Sequence, residues 1–292
     1  MCDDLTELDN EKFALQGGKI NRRDFGKLTA IASMLARAPP VANALDVTES
    51  NVTITTPDGD AEAYFVHPSE GKHAGVLMWT DILGLRNAFR TMATRLAQSG
   101  YSVLVPNPFY RDAKIPVVPE GSSFRDPDTR TLLRGYAGKL TQDAAFSDAK
   151  TFIAFLDQQE SVDTKRKIGT NGYCMGGPLV MRSAAAMPER IGAGATFHAG
   201  RLVTDKEDSP HLLIPKTPAQ MLHAVAENDD EKAPDTKDVL AKAYKDADIA
   251  AEIEVYEGTL HGWCSLDSTV YNEAQAEKAW ARMLNLFEQA LA

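Results

Sequence analysis

The sequence predicts an α/β fold: a mostly parallel sheet with helices on both faces and an antiparallel hairpin at its start. Three observations carry this. Short continuous apolar runs, GVLMW at 75–79 and YSVLVP at 101–106, are the mark of strands buried on both faces. Stretches of helical period alternate with such runs through most of the chain, which calls for crossover connections and so for a parallel sheet. Before them, two alternating segments at 52–55 and 61–66 flank Pro57-Asp58-Gly59-Asp60, a turn sequence in which proline presets one dihedral and Asp-Gly supplies the rest.

The elements follow in order. A helix over 88–98 ends at Gly100. From 107 to 140 the sequence loses periodicity and gains Pro, Gly, Arg and Asp, so this stretch reads as a lid or binding loop. Residues 144–158 resume as a helix with Phe146, Ala149, Ile153 and Leu156 on one face. Ile168 opens a strand, followed by a helix over 179–187. Strands over 191–198 and 219–226, a helix over 236–247 and a strand over 251–256 come next. A final helix over 272–291 places Trp280, Met283, Leu284, Phe287 and Leu291 on one stripe, as core packing requires. No repeat, low-complexity tract or interdomain linker interrupts residues 45–292, which read as one domain.

The first 44 residues differ. Asn21-Arg22-Arg23-Asp24-Phe25-Gly26-Lys27 precedes a mild apolar run from Leu28 to Ala36, then Pro39, Pro40 and Ala42-Asn43-Ala44. Paired arginines, a modest apolar region and a small-x-small site make a twin-arginine export signal, cleaved after Ala44. Export by that machinery to the periplasm, or secretion, is the expectation. An amphipathic or unstructured arm on a cytoplasmic protein is the other reading of the same residues.

Composition narrows the partners. A formal net charge of −10 over 292 residues argues against nucleic acid and anionic membrane surfaces. No apolar run approaches the length of a membrane span. The three cysteines, Cys2, Cys174 and Cys264, have no C-x-x-C spacing, so they make neither a zinc site nor a disulfide framework; no metal or organic cofactor is implied. A pairing of Cys174 with Cys264 stays open, and with it a redox or non-catalytic role.

The chemistry centres on Gly172-Tyr173-Cys174-Met175-Gly176-Gly177, a strand, a tight turn and a helix with a cysteine at the apex. Helix N–H groups and the positive end of the dipole aimed at the sulfur favour a thiolate and, later, an oxyanion. The motif alone also fits a structural cysteine beside a packing glycine. An acid and a histidine further on, in that order, separate the two readings. Both are present at the ends of predicted strands: Glu227-Asn228-Asp229-Asp230, then Gly258-Thr259-Leu260-His261-Gly262. His261 suits the proton-transfer role, and Asp229 the task of orienting the imidazole.

These three motifs, with Met78-Trp79-Thr80-Asp81-Ile82-Leu83-Gly84 as a fourth, resemble the landmarks of the dienelactone hydrolase family of α/β-hydrolases over residues 50–290. The resemblance implies a cysteine-dependent opening of a small ester or lactone through a thioester. A general carboxylesterase or thioesterase of the same fold is the nearest alternative. It implies that the backbone N–H groups of Ile82 and Met175 form an oxyanion hole. It also implies that an acid at position 81 engages the resting thiol; here Asp81 replaces the family's glutamate, and capping of the next helix is its other reading. Tyr136 resembles a family pocket tyrosine. Arg130 and Arg134 suit a substrate carboxylate, with a solvated surface charge as the other reading, His198 a pocket wall or a structural role, and Trp263 a pocket wall or the core. Family members that open dienelactone carry an arginine four residues after the catalytic histidine. This chain has Ser265 there, so half of an anion clamp is missing unless Arg130, Arg134 or Arg201 supplies it.

Overall fold

Two long strands pair first: β1 (Val47–Thr56) runs antiparallel to β2 (Gly59–Pro68), with Thr56 opposite Gly59. Thr56 Oγ1 closes the turn, donating to the Gly59 carbonyl at 2.8 Å and accepting from the Asp58 N–H at 3.0 Å. The expected hairpin is present and longer than its alternating core suggested. The computed structural model describes residues 44–119 and 121–292. The export-signal expectation therefore lies, apart from Ala44, outside the described residues.

Six further strands complete the sheet: β3 (Ala74–Trp79), β4 (Tyr101–Pro106), β5 (Ile168–Tyr173), β6 (Ile191–Phe197), β7 (Gln220–Ala226) and β8 (Ala251–Tyr256). Their order is β1-β2-β4-β3-β5-β6-β7-β8, with β2 antiparallel to β4 and every later pair parallel. Within β3 the side chains alternate between two cores. Val76 and Met78 join one, while Leu77 and Trp79 join the other, as the two-residue period of a strand dictates.

Helices cover both faces. On one side α1 (Asn87–Gln98) brings Phe89, Met92 and Leu96 to the sheet. Across the 2-residue gap at Ser99-Gly100 the chain turns directly into β4. On the other side, α2 (Pro127–Ala137) and α3 (Gln142–Asp157) precede α4 (Gly176–Ala186), and Phe152, Leu156, Leu179 and Val180 supply that core. Each such fully buried side chain contributes about 1.5–3 kcal/mol. Short α5 (Glu227–Lys232) and α6 (Asp235–Asp246) follow β7, and α7 (Glu273–Ala290) closes the first face with Trp280, Met283 and Phe287. Among the described residues no helix is long and apolar enough to cross a membrane.

Two sequence expectations are corrected. The stretch from 107 to 140 is not all loop, because α2 lies within it. Its N-terminus is sound, with Asp126 accepting from the Asp128 N–H at 3.0 Å and proline in the first turn. Only Leu133 of this helix is buried, so the sequence carries no apolar stripe to announce it. The turn after β7 is likewise the helix α5, whose sequence ENDDEK is polar throughout.

Candidate active site

Cys174 stands between β5 and α4 with φ of 52° and is 2 % exposed. A left-handed backbone is strained for a residue with a side chain and persists only where the surroundings impose it. Two glycines make room for it. A Cβ at Gly172 would lie 2.5 Å from the Gly176 carbonyl oxygen, and one at Gly176 would lie 2.7 Å from that of Thr80. No side chain fits at either position, which lets α4 start directly beneath the sulfur. The Cys174 N–H is spent on the Phe197 carbonyl at 3.0 Å, anchoring the apex to β6. Among the described residues the N–H groups of Ile82 and Met175 donate to no protein acceptor, so both are available to an oxyanion.

The candidate acid and base arrive from the ends of β7 and β8, beyond β6. His261 Nδ1 bonds Asp229 Oδ2 at 2.7 Å. Helix α5 and the loop after β8 are tied at three further points: the His261 N–H to Asn228 Oδ1 at 2.9 Å, the Gly258 N–H to Glu227 Oε2 at 2.9 Å, and the Glu227 N–H to Thr259 Oγ1 at 3.2 Å. Asp229 is thereby singled out from its neighbour, because Asp230 turns away to Lys237 at 2.6 and 2.8 Å. Burial opposes charge on His261, but the Asp229 carboxylate and then the Cys174 sulfur outweigh it. The imidazole pKa is pushed up to about 10.

A cavity of about 740 Å³ opens over these groups, lined by Cys174, His261, His198, Ile82 and Ser265. Residues 115–119 and 121–125 form part of its wall, so the first half of the long segment does border the site. His198 is 1 % exposed, and its ring meets that of His261 edge to face with centroids 5.1 Å apart. Burial, reinforced by the facing His261, lowers its pKa to about 3.

Other expected residues lie elsewhere. Trp263 is fully buried and stacks on Tyr256 at 4.7 Å, which makes it core and not pocket wall. Tyr136 packs on Phe109 at 5.8 Å, and Arg134 lies over the Phe124 ring. Neither of them, nor Arg130 or Arg201, lines the cavity; its arginines are Arg86, Arg90 and Arg125. Cys174 and Cys264 are both buried and are not joined in a disulfide, so the disulfide alternative is not formed. Cys264 lines a separate small pocket with Met92, Tyr173 and Trp280, and burial raises its thiol pKa well above the ordinary value.

Asp81 stands at the cavity wall with its carboxylate engaged. Arg86 grips it through two bonds of 2.6 and 2.8 Å, the Leu83 N–H adds one at 2.9 Å, and Ser265 Oγ approaches at 3.5 Å. The bond to Leu83 closes the turn at 81–84; it does not cap α1, whose N-cap is Arg86 with no side-chain cap bond, so the helix-capping reading is not met. Burial raises its pKa, with Arg86 pulling the other way. Arg86 also holds Asp267 at 2.6 and 2.9 Å. Sequence reading missed both partners. Arg86 lies in the turn that leads into α1 and Asp267 lies 181 residues on, so no spacing rule links them.

Comparisons with known proteins identify the family. The family model described as the dienelactone hydrolase family matches residues 61–291. A Salmonella typhi protein provisionally named carboxymethylenebutenolidase is 28% identical over 247 residues, covering 81% of this chain and 86% of its own. The carboxymethylenebutenolidase of Rhodococcus opacus is 24% identical over 266 residues, covering 87% and 95%. Among solved structures, a Klebsiella pneumoniae protein provisionally named a dienelactone hydrolase superposes with a TM-score of 0.73 at 22% identity. That superposition covers 84% of this chain and 99% of the other. The chain belongs to the dienelactone hydrolase family, and with it to the hydrolases that act on ester or lactone bonds.

Proposed function

We propose that this protein opens a small ester or lactone through a thioester on Cys174. The observation that carries the reading is the 2.7 Å Asp229–His261 bond, which orients an imidazole that lines one cavity with Cys174. His261 takes the thiol proton, the sulfur attacks the carbonyl carbon, and Ile82 and Met175 N–H groups receive the developing oxyanion. The alkoxide leaves with the proton from His261, and water then repeats the sequence in reverse to free the acid. Asp229 keeps the imidazole in the tautomer that both half-reactions need.

The test is direct. After a short incubation with a p-nitrophenyl ester and an acid quench, mass spectrometry should find the acyl group on Cys174. Hydrolysis at the wild-type rate by Cys174→Ala would overturn the covalent reading.

The substrate is read as neutral. Ser265 brings no charge to the cavity, and the Arg86 guanidinium is already shared between the Asp81 and Asp267 carboxyl groups. Export through the twin-arginine machinery to the periplasm belongs to the same proposal, supported by Arg22, Arg23 and the Ala42-Asn43-Ala44 site. N-terminal sequencing of the protein from its native host should find Leu45 first, and intact protein confined to the cytoplasm would overturn it.

A further inference from the structure

One buried polar side chain of this site has no task in the triad. His198 follows β6 directly and lines the cavity with Cys174 and His261. Neither of its ring nitrogens meets a protein partner among the described residues. Buried polar atoms in folded proteins are nearly always paired, so each exception asks for an explanation. The other buried histidine of the sheet shows what pure packing looks like here. His223 is 0% exposed, and its two nitrogens are satisfied by Thr196 Oγ1 at 2.8 Å and Tyr244 Oη at 2.9 Å. The same fold completes a structural imidazole on one strand and, beside the next, buries both nitrogens of His198 at the cavity wall without a protein partner.

The backbone points the same way. His198 has φ of 40°, one of four left-handed non-glycine residues among the described ones, and Cys174 is another. Its N–H is fixed to the Ala224 carbonyl at 2.9 Å, and the preceding carbonyl, that of Phe197, receives the Cys174 N–H at 3.0 Å. Nucleophile and imidazole are thus held to one another through a single residue of β6.

The strand order decides which side of the reaction His198 serves. β5 carries Cys174 and lies between β3, which leads to Ile82, and β6, which leads to His198. The oxyanion side and the His198 side therefore flank the sulfur from opposite directions. His261 stands on the His198 side, ring against ring. Leaving group and incoming water use that side.

We propose that His198 binds the water that hydrolyses the Cys174 thioester. This rests on the function proposed above and concerns its second half. One hydrogen of the water goes to His261 Nε2, and the ring nitrogen of His198 that carries no proton accepts the other. The water oxygen attacks the thioester carbon, forming the new C–O bond, and its proton passes to His261. The C–S bond then breaks with its electron pair on Sγ, which takes the proton back from His261 as the carboxylic acid departs. Burial keeps His198 neutral through this cycle, and only a neutral imidazole has a lone pair to offer.

The experiment separates acylation from deacylation by stopped-flow with a p-nitrophenyl ester. His198→Phe keeps a ring without nitrogens. His198→Asn suits a left-handed backbone, which keeps the test open if the first variant does not fold. Acylation should stay within about threefold of wild type, while deacylation falls about tenfold, the rate equivalent of one hydrogen bond. A burst of p-nitrophenolate should appear, and acyl-Cys174 should accumulate. Hydroxylamine, which attacks without a positioned water, should return the variant's deacylation to near the wild-type rate. Unchanged deacylation, or acylation and deacylation falling together, would overturn the role of His198. If neither wild type nor variant ever carries an acyl group on Cys174, the thioester reading fails, and this inference fails with it.

Discussion

His261 Nδ1 lies 2.7 Å from Asp229 Oδ2, and that bond joins helix α5, directly after β7, to the loop after the neighbouring strand β8. Three more hydrogen bonds fasten the same helix and loop. The imidazole is therefore placed by a loop braced against a helix and not by one flexible turn.

The two adjacent aspartates should separate cleanly. Asp229→Asn removes the carboxylate that selects the imidazole tautomer, and kcat should fall roughly 10²- to 10⁴-fold with KM little changed. Asp230→Asn breaks only a partly exposed pair with Lys237, so activity should stay within about twofold. Steady-state kinetics of both variants decide it, and the reverse ranking would move the orienting role by one residue.

At the apex, Cys174→Ala should abolish turnover while circular dichroism and melting temperature stay close to wild type. Cys174→Ser should retain only residual activity. A hydroxyl is far less acidic than a thiol, so the same His261 produces much less of the nucleophilic form. A serine variant as active as wild type would show that thiolate formation is not what this site is tuned for.

The two facing histidines should mark opposite ends of the pH–stability curve. His261 has its pKa raised from 6.5 to about 10. Its contribution is full below about pH 6.5 and is lost as pH rises toward 10. For His198 the folded value is lowered from 6.5 to about 3. Its neutral burial favours the fold above pH 6.5, and that contribution disappears as pH falls toward 3. Melting curves from pH 4 to 10 should show Asp229→Asn flattening the alkaline limb and His198→Phe the acid one. Limbs that match wild type in both variants would contradict these assignments.

A methyl group at the elbow should be costly. In Gly172→Ala the new Cβ meets the backbone of Gly176, which cannot swing aside as a side chain would. Overpacking of this kind costs about 1–3 kcal/mol, or several degrees in Tm for a chain of this size. It should also lower kcat by displacing Cys174. Calorimetry and kinetics on the one variant test both effects.

Substrate charge gives a fifth expectation. Dienelactone should be a poorer substrate than its methyl ester, because the free carboxylate meets Ser265 and a guanidinium already shared between Asp81 and Asp267. Forgoing a charge-assisted contact costs about 1.5–3 kcal/mol, roughly tenfold to a hundredfold in kcat/KM. Preference for the free acid would show that another cavity arginine, Arg90 or Arg125, does the clamping.

The alternation of buried strands and amphipathic helices is a local pattern, and it placed the parallel sheet because burial on both faces forces apolar runs such as 75–79. The elbow was equally legible at Gly172, where a side chain would collide with the backbone of Gly176 four residues on; the collision at Gly176 is with Thr80 and Trp79, which only the fold brings there. The order Cys174, Asp229, His261 could be read for the same reason, each residue following a recognisable strand. Packing between distant segments decided the rest. Helix α2 escaped because one buried leucine makes no period. Trp263 and Cys264 lie next to the catalytic loop in sequence yet belong to the core, because the chain folds back under β8 after His261. Arg86 joined Asp81 to Asp267, and His198 was turned toward His261, through contacts between distant segments that sequence spacing does not encode. Side chains that meet across a sheet are set by strand order, and strand order is a property of the folded molecule.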